Sequence, residues 1–220
     1  MGAGLVSDLT ECLERFNRKE RYWLIRNALG DPGAPMLLAP SFLKTLREKT
    51  KLEIPDDAWW AIDYHIDWLF GALQCFLRRD EKGAYHADLL TGSQEDFDFV
   101  VAYDRTLILI EAKATGPWRT VQCESKFERL DRLEKTLLKE CGLTVKTLVL
   151  SPTPPPEKFA GMSECLGRAF SNWIELSMDG QREHFTVLKR VPGAVKPTEW
   201  QIDRVRNPGY KGPRSRMKAP

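Results

Sequence analysis

Two carboxylates and an amine in this chain have the types and spacing that metal-centred chemistry requires: Asp98, twelve intervening residues, then Glu111-Ala112-Lys113. The residues between form two apolar runs, 99–103 and 106–110, broken by Asp104-Arg105. That pattern reads as two strands joined by a short turn. If Tyr103 pairs with Thr106 across a two-residue turn, Asp98 stands opposite Glu111 and Asp96 opposite Lys113. Because side chains alternate between faces, Asp98 then shares a face with Glu111 and Lys113. Both faces of this pair are apolar, as expected of central strands covered on each side. Burying charges at the end of such a pair is costly unless something compensates them.

A divalent cation is the natural compensator. Mg²⁺ takes oxygen ligands, usually one or two carboxylates, with waters and substrate phosphate completing the set. Asp98 and Glu111 offer two such ligands, and the backbone carbonyl of Ala112 a third. An ion held there acidifies water and offsets charge on phosphoryl oxygens. Lys113 can orient or deprotonate the attacking water and stabilise developing negative charge. This chemistry suits hydrolysis of a phosphodiester. The competing reading is a salt-bridge cluster of Asp96, Asp98, Glu111 and Lys113 capping a strand end.

The elements that must position these residues follow from periodicity and turn chemistry. Residues 7–29 read as helical, with Gly30 as the stop. Glu20 then lies in the apolar stripe and faces a core or cleft. Alternatively, Asn17 breaks the segment and Glu20 begins a second helix, where an acid suits the dipole. A short helix at 41–49 with Ser41 as N-cap comes next, then a long helix at 57–79 with the stripe Trp59, Ile62, Ile66, Leu69, Phe70, Leu73 and Phe76. Asp63, His65 and Asp67 fall mostly off that stripe, on a solvated face. A weak strand is expected at 85–91, a helix at 119–141 ended by Gly142, and a clear strand at 143–150. A strand, helix, strand order makes the two strands parallel through a right-handed crossover. Beyond it a helix is expected at 157–172. Runs at 173–177 and 184–191 then make a hairpin around Asp179-Gly180. On the charged face of the 119–141 helix, Lys126, Arg129 and Arg132 are candidates for a DNA-facing ridge, against the competing reading of a solvated, salt-bridged face.

The Asp98…Glu111-Ala112-Lys113 pattern at the end of an apolar strand resembles the PD-(D/E)XK nuclease superfamily. That resemblance implies an α/β fold with a restriction-endonuclease-like mixed central sheet, an αβββαβ core flanked by helices, over roughly residues 7–150. It implies metal binding by Asp98, Glu111 and the Ala112 carbonyl, with Lys113 as the catalytic lysine. Glu20 corresponds to the acid that many members supply from the first helix, and Gln122 to a glutamine that some carry on the following helix. Phe97 stands where the family's proline precedes the aspartate, and Asp96 competes for the aspartate position. The implied activity is Mg²⁺-dependent DNA cleavage, with Mn²⁺ able to substitute, at the Asp98/Glu111/Lys113 site and with Lys126 and Arg129 as nucleic-acid contacts. The implied assembly is a homodimer or a complex with a specificity subunit. The alternative is a noncatalytic nucleic-acid-binding or assembly subunit that keeps the fold.

With 220 residues the chain can bury one sizeable core. A formal charge of +2 favours no partner class. Five scattered cysteines without CxxC spacing argue against zinc or a disulfide framework and point to a reducing cytoplasm. No apolar run reaches the length of a membrane span. The expected organisation is a helical region at 1–80, a core at 81–191 and a basic, flexible Pro/Gly-rich tail at 192–220, which either solubilises or touches phosphates.

Overall fold

The computed structural model describes residues 8–31, 33–77, 86–92, 95–114, 118, 120–159, 161–177, 183–190 and 199–206. Within them, a five-stranded mixed sheet of order β1-β2-β3-β4-β5 is flanked by helices. Among the described residues no helix is long and apolar enough to cross a membrane.

The hairpin forms in the expected register. β2 (Asp96–Tyr103) and β3 (Thr106–Ala112) are antiparallel, with Tyr103 opposite Thr106 and Phe99 opposite Ile110. Asp104 takes the left-handed conformation (φ 45°) that closes the turn. Val100, Val101, Ala102 and Leu107 through Ile110 are all buried, so both faces of the pair are covered. The paired ladder stops at Phe99 and Ile110, and beyond it the side chain of Asp98 takes over. Its Oδ2 accepts the backbone N–H of Ala112 at 2.6 Å.

The crossover also follows the sequence. α5 (Val121–Leu133) is capped by Thr120, whose hydroxyl accepts the Cys123 N–H. It continues through a π turn (Glu134–Leu138) into α6 (Lys139–Cys141), and Gly142 ends it at φ 61°. β4 (Thr144–Ser151) returns parallel to β3. α7 (Glu164–Ser171) packs against β4 and α5. Its start at Glu164, well inside the expected 157–172 helix, is set by Ser163, which caps the Leu166 N–H.

The N-terminal reading needs correction. α1 (Leu9–Phe16) ends at Asn17, and α2 (Glu20–Leu29) begins afresh at Glu20. α3 (Pro40–Thr50) starts on Pro40 after Ala39, so Ser41 is not its N-cap. The single helix expected at 57–79 is instead a strand, β1 (Trp59–His65), followed at once by α4 (Ile66–Phe76). β1 pairs antiparallel with β2 from Trp59 opposite Ala102 to His65 opposite Asp96. His65 ends the strand by capping α4, its Nδ1 accepting the Asp67 N–H at 3.1 Å. α4 then packs on α1. Gly71 makes that approach possible, since a Cβ there would lie 2.5 Å from the Phe16 ring.

Since β1 lies inside residues 1–80, that region is not a purely helical unit beside the sheet. The strand expected at 85–91 is, in its described part, a single 3₁₀ turn (Ala87–Leu89). The helix–strand order is therefore α1, α2, α3, β1, α4, β2, β3, α5, α6, β4, with the first strand taken from the misread helix.

β5 (Ile174–Glu175) adds to β4 rather than to a hairpin partner. β6 (Glu183–Arg190) pairs instead with β7 (Glu199–Arg206), a strand within the stretch read as a flexible tail. The expected Asp179-Gly180 turn and the basic residues Lys211, Arg214, Arg216 and Lys218 lie outside the described residues.

Candidate active site

At the end of the sheet away from the Asp104 turn, β1, β2, β3 and the start of α5 enclose a cleft of about 280 Å³. Its lining is Asp63, Asp96, Asp98, Glu111, Lys113, Thr120, Gln122, Cys123 and Lys126. Four acids thus converge toward this end of the sheet, where the β2–β3 ladder gives out beyond Phe99 and Ile110 and the β1–β2 ladder skips Asp63 and Asp98. Asp98, Glu111, Lys113 and Gln122 are brought together as the sequence leads one to expect.

Asp98 and Glu111 line the cleft together, close enough for the charge of Asp98 to act on Glu111. Asp98 is steadied by the Ala112 N–H. Glu111 Oε2 accepts from Lys126 Nζ at 2.5 Å. Burial pushes the Glu111 carboxyl up to about 7; the attraction of Lys126 works against this and the negative charge of Asp98 adds to it. The neighbouring Cys123 thiol is raised to about 11, by burial first and by the Glu111 charge second. The backbone N–H of Lys113 donates to the Leu150 carbonyl at 2.7 Å, whereas its ammonium has no hydrogen-bond or ion-pair partner among the described residues and lies 6.0 Å from the centre of the Trp118 ring.

Lys126 differs from its expected role. It is buried, its ammonium donates to the backbone carbonyl of Asp96 at 2.6 Å as well as to Glu111, and it lies 5.6 Å from the centre of the Phe97 ring. It belongs to the cleft wall, not to an exposed ridge. Arg129 is only 1% exposed. Its guanidinium bonds the Leu89 carbonyl and the Asp67 carboxylate and lies 3.5 Å from Glu95. A side chain committed in this way does not present itself to DNA, so the basic ridge loses two of its three members.

Glu20 is exposed at the first position of α2 and does not line the cleft. The alternative reading, in which Asn17 breaks the helix, is the one the structure adopts. Asp63 takes a place in the cleft that sequence reasoning assigned to a solvated helix face. It sits in β1 beside Asp98, in the left-handed region at φ 48°, and the β1–β2 ladder skips that pair. Such a conformation is uncommon for a residue other than glycine. The readable signal was the β-forming run Trp59-Trp60-Ala61-Ile62 ahead of it.

The chemistry of the donor set suits a hard divalent ion. Asp98 and Glu111 each commit one oxygen to an internal donor, and their mutual repulsion is what a cation would relieve. Asp96 Oδ1 is buried without a hydrogen-bond partner. Among the described residues no group of three or more His, Cys, Asp or Glu side chains is arranged to hold a metal ion. Two carboxylates are nevertheless a usual protein contribution for Mg²⁺, which keeps several waters.

Comparison with protein-family models, curated proteins and solved structures returns no match. The functional reading therefore rests on the site.

Proposed function

We propose that this chain is a Mg²⁺-dependent nuclease of the PD-(D/E)XK type, with a restriction-endonuclease-like core, that hydrolyses phosphodiester bonds of DNA. The observation that carries the reading is the convergence of Asp98, Glu111, Lys113 and Gln122 on one cleft at the strand ends. The order of one helix-bearing N-terminal segment, three antiparallel strands, a helix and a parallel strand supports it.

Asp98, Glu111 and the Ala112 carbonyl would hold the ion. When bound, the ion supplies acidification of water and neutralisation of charge on the phosphoryl oxygens. The chain's own residues do the remainder. Lys113, the lysine in the cleft without an ion-pair partner among the described residues, meets the phosphodiester and stabilises the charge that develops as water attacks phosphorus and the ester oxygen leaves. Gln122, at the second position of α5, orients the water through its amide. Lys126 holds Glu111 by one oxygen, Oε2.

A second reading has its own support: Lys126 and Lys19 already neutralise Glu111 and Asp96. On that reading the cleft is internally compensated, and the chain is a noncatalytic nucleic-acid-binding or assembly subunit. The test is incubation of the full chain with end-labelled single-stranded, duplex and branched DNA in Mg²⁺, Mn²⁺ or EDTA, beside Asp98→Ala, Glu111→Ala and Lys113→Ala. The nuclease reading expects metal-dependent cleavage of at least one substrate, lost in each variant. Binding without cleavage on any substrate supports the second reading. Cleavage that survives all three substitutions rules out the assigned residues.

A further inference from the structure

With Lys126 and Arg129 turned inward, two other bases besides Lys113 stand at the cleft, each on one of its acids. Lys19, the residue preceding α2, pairs through Nζ with Asp96 Oδ2 at 2.5 Å. Arg21, two residues later, pairs through one guanidinium nitrogen with Asp63 Oδ2 at 2.8 Å. Both acids line the cleft, so two bases from one short segment are fastened to its rim. Asp63 is held there by a left-handed backbone at φ 48°, in the register slot beside Asp98 where the ladder skips a pair. Strained positions of this kind persist where the surroundings over-determine them and gather at functional sites.

The fastening leaves donors to spare. A guanidinium carries five N–H groups in a planar fork that matches a phosphate, and Arg21 uses one nitrogen while its side chain is 67% exposed. The ammonium of Lys19 has three donors, and Asp96 takes one. Lysine and arginine side chains lose much rotamer freedom on binding. Pinning each to an acid of the cleft removes part of that cost in advance, and it sets the spacing of the two positive charges relative to Asp98 and Glu111.

We infer that Lys19 and Arg21 form a phosphate clamp at the mouth of the cleft, gripping the backbone of the nucleic-acid strand whose adjacent phosphodiester lies at Asp98 and Glu111. The inference rests on the nuclease reading and names the surface through which that site takes its substrate. Asp63 and Asp96 act as anchors for the two bases.

The experiment is fluorescence anisotropy of fluorescein-labelled single-stranded and duplex oligonucleotides with the full chain in EDTA, over a series of salt concentrations. Each phosphate neutralised adds about 0.7 (single strand) or 0.9 (duplex) to the slope of log affinity against log salt. Lys19→Gln/Arg21→Gln is expected to lower that slope by roughly 1.4 to 1.8 and to weaken binding at low salt at least tenfold. Lys135→Gln, which removes the same kind of charge nine residues beyond Lys126, is expected to leave the slope unchanged. The exchange Lys19→Arg/Arg21→Lys keeps both charges and is expected to retain the wild-type slope. Thermal melts of all variants separate loss of the clamp from loss of the fold.

A wild-type slope in the Lys19→Gln/Arg21→Gln protein overturns the inference, as does wild-type protein that binds neither oligonucleotide. Binding that depends on Lys19 and Arg21, with no cleavage in Mg²⁺, upholds the clamp while removing the catalytic reading. Cleavage by the wild type with an unchanged salt slope in that double variant does the reverse.

Discussion

Lys126 and Arg129 sit about one turn apart on α5, both buried and both against acids, yet their surroundings differ in kind. Arg129 is closed in: one guanidinium meets two carboxylates, Asp67 and Glu95, and a backbone carbonyl from the 3₁₀ turn. Lys126 faces an open cleft in which its ammonium serves Glu111, while the neighbouring Asp98 has no ion-pair partner among the described residues and Asp96 and Asp63 are paired with Lys19 and Arg21. The first cluster joins α5 to the start of α4 and to the residue before β2 through one positive charge shared between two carboxylates. The second keeps two carboxylates within reach of each other and drives one of them toward its neutral form. A carboxylate pushed up by burial and by a like charge, and lining a cleft, is of the kind that gathers at functional sites.

Removing the centre of each cluster sharpens this contrast. Arg129→Met strands Glu95 and Asp67 without their cation and is expected to cost roughly 3–5 kcal/mol, read as a lowered midpoint in urea denaturation. Adding Glu95→Gln to that variant should recover part of the loss. Equal stability of Arg129→Met and wild type would show that the cluster is not structural.

Lys126→Met is expected to cost less, about 1–3 kcal/mol, because Glu111 can take up a proton in place of the lost ammonium. A loss as large as that of Arg129→Met would mean that the two clusters do the same job.

The effect of pH separates them further. The folded carboxyl of Glu111 is raised from 4.5 to about 7, so between those values the folded state holds a proton that the unfolded state has released. The contribution of this group to stability is therefore full below about pH 4.5 and is lost as pH rises through about 7. In metal-free buffer, the stability difference between wild type and Glu111→Gln should shift across that window in the sense that wild type loses ground as pH increases. A difference independent of pH from 4.5 to 7 would contradict the crowding of Glu111 by burial and Asp98.

The smallest effect is expected at the rim. Arg21→Gln breaks an ion pair whose arginine is 67% exposed, and less than about 1 kcal/mol should be lost. A larger loss in thermal or urea unfolding would make Arg21 part of the scaffold.

The sequence carried the hairpin well because three local signals agreed there: two continuous apolar runs of equal length, a two-residue polar break between them, and charged residues at their far ends. Asp98, Glu111 and Lys113 were legible for that reason, and Gln122 because the α5 helix was. β1 was not legible. Its apolar residues Trp59, Ile62 and Ile66 fit a helical spacing that continues into α4, and only pairing with β2, a long-range contact, fixes the first half as a strand. Asp63 was lost with it. The burial of Lys126 and Arg129 is also set by distant partners, Glu111 and the Asp67–Glu95 pair, which local charge spacing does not reveal.

The central claim is that the Asp98–Glu111 pair is a divalent-ion site. Calorimetric titration of Mn²⁺ into the full chain tests it, with Asp98→Asn, Glu111→Gln and Lys135→Gln proteins in parallel. The account predicts saturable binding by wild type and Lys135→Gln, weakened at least tenfold by either carboxylate substitution. Binding of equal strength in all four proteins, or none in the wild type, would contradict it.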